Sequence, residues 1–146
     1  MSGTSFIIDK WFTIHAPASR IWKILTEPEL MKSWISDSDI EVFSERKAGG
    51  RLLFKGSLHG LNYEDKGQIL LFEPEKKLQY THLSKISGLP DIKENYSVIT
   101  FSLHAQSDTT RVTLHQENFV TREIFKHWEF YWNVTTGLIK ELCEKK

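Results

Sequence analysis

The chain has 146 residues, about one domain's worth, with 40% hydrophobic, 12% aromatic and 26% charged residues, 5 Trp and 9 Phe among them, a balance that excludes a mainly disordered chain. Its 19 Lys+Arg offset its 19 Asp+Glu, so no global field holds a polyanion or an anionic bilayer, and nucleic acid is excluded as the expected partner. The lone Cys143 makes neither an internal disulfide nor a cysteine-rich zinc site, which fits a reducing compartment.

Met1 to Lys10 lacks the basic flank and sustained apolar stretch of a targeting peptide, and no apolar run approaches membrane-spanning length. A cytoplasmic, single-domain α+β protein over residues 1–146, with no membrane span, is expected. Phe6 to Ile14, rich in β-branched and aromatic residues, reads as a strand closed by His15-Ala16-Pro17. Pro17 suits the first turn of a helix, where its missing N–H has no intrahelical partner. Ile21, Trp22, Ile24 and Leu25 recur at helical spacing until Glu27-Pro28, and Glu29 to Trp34 makes a second short helix. The polar run Ser36-Asp37-Ser38-Asp39 ends it.

From Ile40 to Asn118 the period becomes that of strands. Strands are expected at Ile40 to Phe43, Arg51 to Lys55, Tyr63 to Phe72 and Lys77 to Leu83. Lys47-Ala48-Gly49-Gly50, a turn bracketed by Gly56 and Gly60, and Glu73-Pro74-Glu75 separate them. Ser84 to Asn95 is a connection long enough to act as a lid. Tyr96 to His104 and Arg111 to Asn118 form a hairpin, so the sheet is an antiparallel meander with no parallel crossover except around the first helices. Thr121 to Lys146 is the longest helix, with Thr121 at its N-cap and an apolar stripe of Ile124, Trp128, Tyr131, Thr135, Leu138 and Leu142.

Strand alternation then says which side chains meet. Ile99, Phe101 and Leu103 face the core with Val112 and Leu114. If Leu103 lies opposite Val112, Ile99 faces Gln116 and Ser97 faces Asn118, so the inward face turns polar away from the turn. On the neighbouring strand Leu78, Tyr80 and His82 point inward together. Inward polar groups cost about 1–3 kcal/mol unless partnered. The arrangement is either a cavity between sheet and helix, lined by Trp128, Tyr131 and Trp132, or a satisfied hydrogen-bond network beneath an aromatic core.

Motifs for catalysis are few. The 6 His residues show no metal-ligand spacing, and Asp37, Asp39 and Glu41 lack the glycine and distal Glu of a calcium loop, so no metal or other cofactor is expected. Gly49-Gly50 precedes a strand, unlike a phosphate-cradling loop. Cys143, among charged residues at a helix end, reads as an edge thiol. His82 with Tyr80 is the one acid/base pairing the pattern offers, and a structural or ligand-orienting role competes with it.

Several segments, taken in order, carry a family resemblance. Phe12-Thr13-Ile14-His15-Ala16-Pro17, Ile21-Trp22, Leu25-Thr26-Glu27-Pro28-Glu29-Leu30 and Trp34 open the series. Gly49-Gly50-Arg51, Gly67-Gln68-Ile69 through Pro74 and Leu78-Gln79-Tyr80-Thr81 continue it, and Ile99 to Leu103, Thr110 to Leu114, Asn118-Phe119 and Trp128 close it. Over nearly its whole length the chain resembles the START-related (SRPBCC, Bet v 1-like) superfamily, in its branch similar to the activator of heat-shock protein 90 ATPase. The resemblance implies an α+β helix-grip fold: a curved antiparallel sheet, two short N-terminal helices, and a long C-terminal helix over a hydrophobic cavity.

The first functional expectation is non-catalytic binding of a small apolar or amphipathic molecule. Trp34, Phe54, Tyr80, His82, Phe101, Trp128, Tyr131 and Trp132 would line the cavity, and Ser97, Gln116 and Asn118 would orient the ligand. Superfamily members also include co-chaperone domains and cyclases. A chaperone-associated interaction module and a cyclase- or hydrolase-like enzyme are therefore the competing readings.

Overall fold

The computed structural model describes residues 6–36, 39–58 and 60–145. Asp37 and Ser38 of the polar run after the second helix, His59, Lys146 and the first five residues lie outside the described residues. The elements are β1 (Ile8–Ile14), α1 (Ala18–Thr26), α2 (Pro28–Ile35), β2 (Ile40–Ser44), β3 (Arg51–Leu58), β4 (Leu61–Glu73), β5 (Lys77–Ser84), β6 (Ser97–Ala105), β7 (Thr110–Glu117) and α3 (Arg122–Glu144). Two 3-10 turns, Lys85–Ser87 and Lys93–Asn95, lie in the connection between β5 and β6.

The seven strands form one sheet in the order β1-β7-β6-β5-β4-β3-β2, and each neighbouring pair is antiparallel. β1 and β2 are the two edges, so α1 and α2 carry the chain across the full width of the sheet. Even this connection creates no parallel pair, because β1 joins the sheet beside β7. The result is the α+β helix-grip fold expected from the sequence.

Helix boundaries follow local chemistry. Pro17 sits at the N-cap of α1, one residue outside the helix, with extended backbone (ψ 153°). Its carbonyl accepts from Arg20 N and Ile21 N. Pro28 occupies the first turn of α2, where a missing N–H costs nothing. The Trp34 indole donates to Ile24 O at 2.8 Å, tying α2 to α1.

The sheet bends along β4. The first part of this 13-residue strand pairs with β3 and the second part with β5, and the register shifts between Ile69 and Leu71. Gly67 packs so closely on β5 that a Cβ would come within 1.6 Å of Thr81 O. Gly56, expected to flank a turn, lies inside β3 opposite Tyr63. A Cβ there would meet the Tyr63 hydroxyl at 2.6 Å, so this glycine makes room for an aromatic ring.

Thr121 caps α3, its Oγ1 accepting from Ile124 N at 3.1 Å. The buried stripe of the helix is Trp132, Thr135, Ile139 and Cys143. Leu138, expected on that stripe, is 36% exposed. Cys143 is fully buried within the main core cluster and is not an edge thiol. The reason is tertiary: the last turns of α3 lie in the corner between β1 and α1. There His15 N donates to Glu144 Oε2 at 2.8 Å and Arg20 Nη1 to Cys143 O at 3.3 Å, which turns Ile139 and Cys143 inward. None of the helices among the described residues is long and apolar enough to cross a membrane.

Candidate functional site

The inward polar face of the sheet splits into two parts. Leu103 faces Val112 and Ile99 faces Gln116, as alternation predicts. Gln116 is fully buried. It accepts from the Trp132 indole at 2.6 Å and donates through Nε2 to Ser97 Oγ at 3.0 Å. These three side chains make a closed hydrogen-bond chain joining α3 to the sheet, the satisfied network the sequence left open. Asn118 departs from the expected inward position. Its backbone is left-handed (φ 67°), β7 has already ended, and its exposed amide donates to Glu94 O and Tyr96 O.

Beyond the network lies a cavity of about 520 Å³ between the sheet, α2 and α3. It falls within the range typical of small-molecule sites. Of the residues expected from sequence, Trp34, Phe54, Tyr80, His82, Trp128, Tyr131 and Trp132 line it. Ser97, Phe101, Gln116 and Asn118 are not part of its wall. Phe101 is completely buried behind Trp132, with ring centroids 5.7 Å apart. A depression of similar size over Ile40, Lys55 and Tyr63 is open to solvent.

The wall is a chain of aromatic contacts. Trp128 stacks on Trp132 at 5.7 Å and meets Tyr131 edge-on at 5.2 Å. His82 sits between Trp128, at 5.0 Å, and Phe54, at 5.8 Å. Such pairs hold their rings by shape and quadrupole as well as by burial. The Tyr131 hydroxyl donates to Ile35 O at 2.8 Å, fixing α3 against the end of α2. Burial pushes the Tyr80 hydroxyl well above the ordinary phenol range, with nearby Tyr131 a second cause. Tyr131 is raised chiefly by burial too. Both therefore stay protonated at neutral pH, and Tyr80 presents the cavity with a neutral hydroxyl.

Asp65 was not singled out by sequence reasoning. It lines the cavity, and its Oδ2 stands 3.4 Å from His82 Nε2. Its Oδ1 is buried without a hydrogen-bond partner among the described residues. The signal was available. Tyr63, Asp65, Gly67 and Ile69 alternate in phase, Ile69 is buried, and Asp65 lies opposite the buried Phe54. Phasing β4 from Ile69 puts Asp65 inward. The rim adds Leu138 of the expected stripe and apolar side chains that sequence reasoning missed: Phe130 and Val134, which precede Leu138 at i, i+4 spacing on α3, and Ile86 from the β5–β6 connection. That connection is pinned at its far end, where Asp91 pairs with Lys66 and accepts from the Tyr96 hydroxyl at 2.5 Å.

The model of the activator of Hsp90 ATPase homolog 1-like protein family matches residues 15–144. No curated protein matches the chain. The fold is similar to the solution structure of a Cytophaga hutchinsonii protein, at 37% identity and a TM-score of 0.80, over 93% of this chain and 92% of that one. A crystal structure of a Chromobacterium violaceum protein is similar at 18% identity and a TM-score of 0.81, covering 97% and 99% of the two chains. The Aha1 dimer of Colwellia psychrerythraea is similar at 18% identity and a TM-score of 0.73, covering 94% and 96%.

Proposed function

Because the chain belongs to the activator of Hsp90 ATPase homolog 1-like family, we propose that it binds a small, largely apolar molecule in the cavity beneath α3, without catalysis. The observation that carries this reading is the cavity of about 520 Å³ walled by Trp34, Phe54, Trp128, Tyr131 and Trp132. Aromatic walls with a few convergent polar groups are the usual build of such sites. Apolar area removed from water supplies affinity at about 25 cal/mol per Å². His82, Asp65 and Tyr80 give the ligand one polar end to meet. A reducing, cytoplasmic setting accords with the lone buried thiol of Cys143.

Titration with Nile red, a neutral apolar probe, tests the reading. Trp128→Ala and His82→Ala are expected to weaken binding about tenfold, the loss of one well-packed contact. Unchanged affinity in both variants, each verified as folded, overturns the assignment of this cavity.

The exposed row Phe130, Val134 and Leu138 favours a second reading, a docking face for a chaperone. Co-purification with heat-shock protein 90 that is lost in Phe130→Ser would support docking through this row.

A further inference from the structure

We propose that the cavity selects an amphipathic amine: a protonated nitrogen on an apolar body, with Asp65 as the group that holds the nitrogen. This rests on the ligand-binding reading above and narrows it to one chemical class.

The charge of the wall is one-sided. Among its described residues there is no Lys and no Arg, and Asp65 is the acidic one. An anionic head group would enter beside a carboxylate with only the imidazoles of His82 and His127 as possible cationic partners. Like charges at such range oppose one another strongly where water is scarce.

The carboxyl group is also short of donors. A carboxylate offers about four acceptor positions, yet Asp65 Oδ2 has only His82 Nε2 at 3.4 Å, and buried Oδ1 has none among the described residues. A buried acceptor left unmade is costly, so a ligand that brings donors gains more here than at a satisfied surface. An ammonium brings three donors and one positive charge. Rotation about the carboxyl bond, a soft two-fold torsion, lets either oxygen meet it.

The remaining wall suits the same class. His82, beside Asp65, is flanked by Phe54 and Trp128, and Trp128 leads on to Tyr131 and Trp132. Aromatic faces attract a desolvated cation through their quadrupole. The exposed Phe130 and Val134 at the rim continue the apolar surface outward for the ligand's body.

Isothermal titration calorimetry of the whole chain with decylamine, decanol and decanoate at neutral pH tests the proposal. The amine is protonated there, as a lysine side chain is. Decylamine is expected to bind at least about tenfold more tightly than decanoate, the scale of one charge-assisted hydrogen bond. Asp65→Asn is expected to abolish that preference, weakening decylamine far more than decanol. Decanoate binding as tightly as decylamine, or a preference that survives Asp65→Asn, overturns the proposal and leaves the cavity assignment standing. Failure of all three probes to bind overturns the cavity assignment as well. If Asp65→Asn does not fold, the comparison of the three probes on the unaltered chain still decides.

Discussion

The Trp132 indole donates to Gln116 Oε1 at 2.6 Å, with both side chains shut away from solvent. This bond joins the long helix to the C-terminal end of β7, and Gln116 passes the connection on to Ser97 of β6. It makes the roof of the cavity part of the core.

Gln116→Leu is accordingly expected to destabilise the fold by about 1–3 kcal/mol, because the indole N–H and Ser97 hydroxyl lose their partner in a buried setting. Urea unfolding measures the change. Adding Trp132→Phe should cost less in the Gln116→Leu background than in the natural chain, since the two residues share one interaction. Strict additivity of the two changes would show that the bond contributes nothing of its own.

Cys143 is fully buried, and burial pushes its thiol up to about 11 from the usual 9.0. At mildly alkaline pH the thiolate fraction is then about 100-fold below that of an ordinary cysteine. Iodoacetamide should leave the native chain almost unlabelled over a period in which the urea-unfolded chain labels completely. Rapid labelling of the native chain would place the thiol at the surface.

Glu144 clamps the end of α3. It accepts from the backbone N–H of His15 and from Lys140 at 2.9 Å, and these contacts pull its carboxyl down to about 2 from 4.5. A lowered folded-state value means that the contribution is fully present above about pH 4.5. It is lost as pH falls from there toward about 2. The melting temperatures of the natural chain and Glu144→Gln should therefore differ most near neutrality and converge by about pH 2. A gap that stays constant across the acid range would assign the effect to packing.

Much of the candidate site was legible because periodicity is a local property of the backbone. Alternation placed Tyr80 and Phe101 inward and matched Ile99 to Gln116, and the register follows from the short turn between β6 and β7. The same counting failed at Asn118, where the backbone leaves the strand through a positive φ. On β4 the alternation breaks at the register shift between Ile69 and Leu71, so the continuous apolar run there hides the phase that carries Asp65 inward.

By itself the sequence determined the order of elements, the antiparallel pairing, the face of each phased strand and the aromatic supply for a cavity wall. Each is set by steric preference and hydrophobic period within a few neighbouring residues. The tertiary structure alone decided how deep each inward residue lies. The bend of β4, with Gly67 against Thr81, and the seating of α3 against β1 and α1 bring together residues far apart in the chain. Those contacts enclosed Gln116 and Ser97 in a satisfied network, turned Cys143 inward and Leu138 outward, and set Asp65 beside His82 in the cavity. Period names a face, but depth depends on what the rest of the chain packs against it.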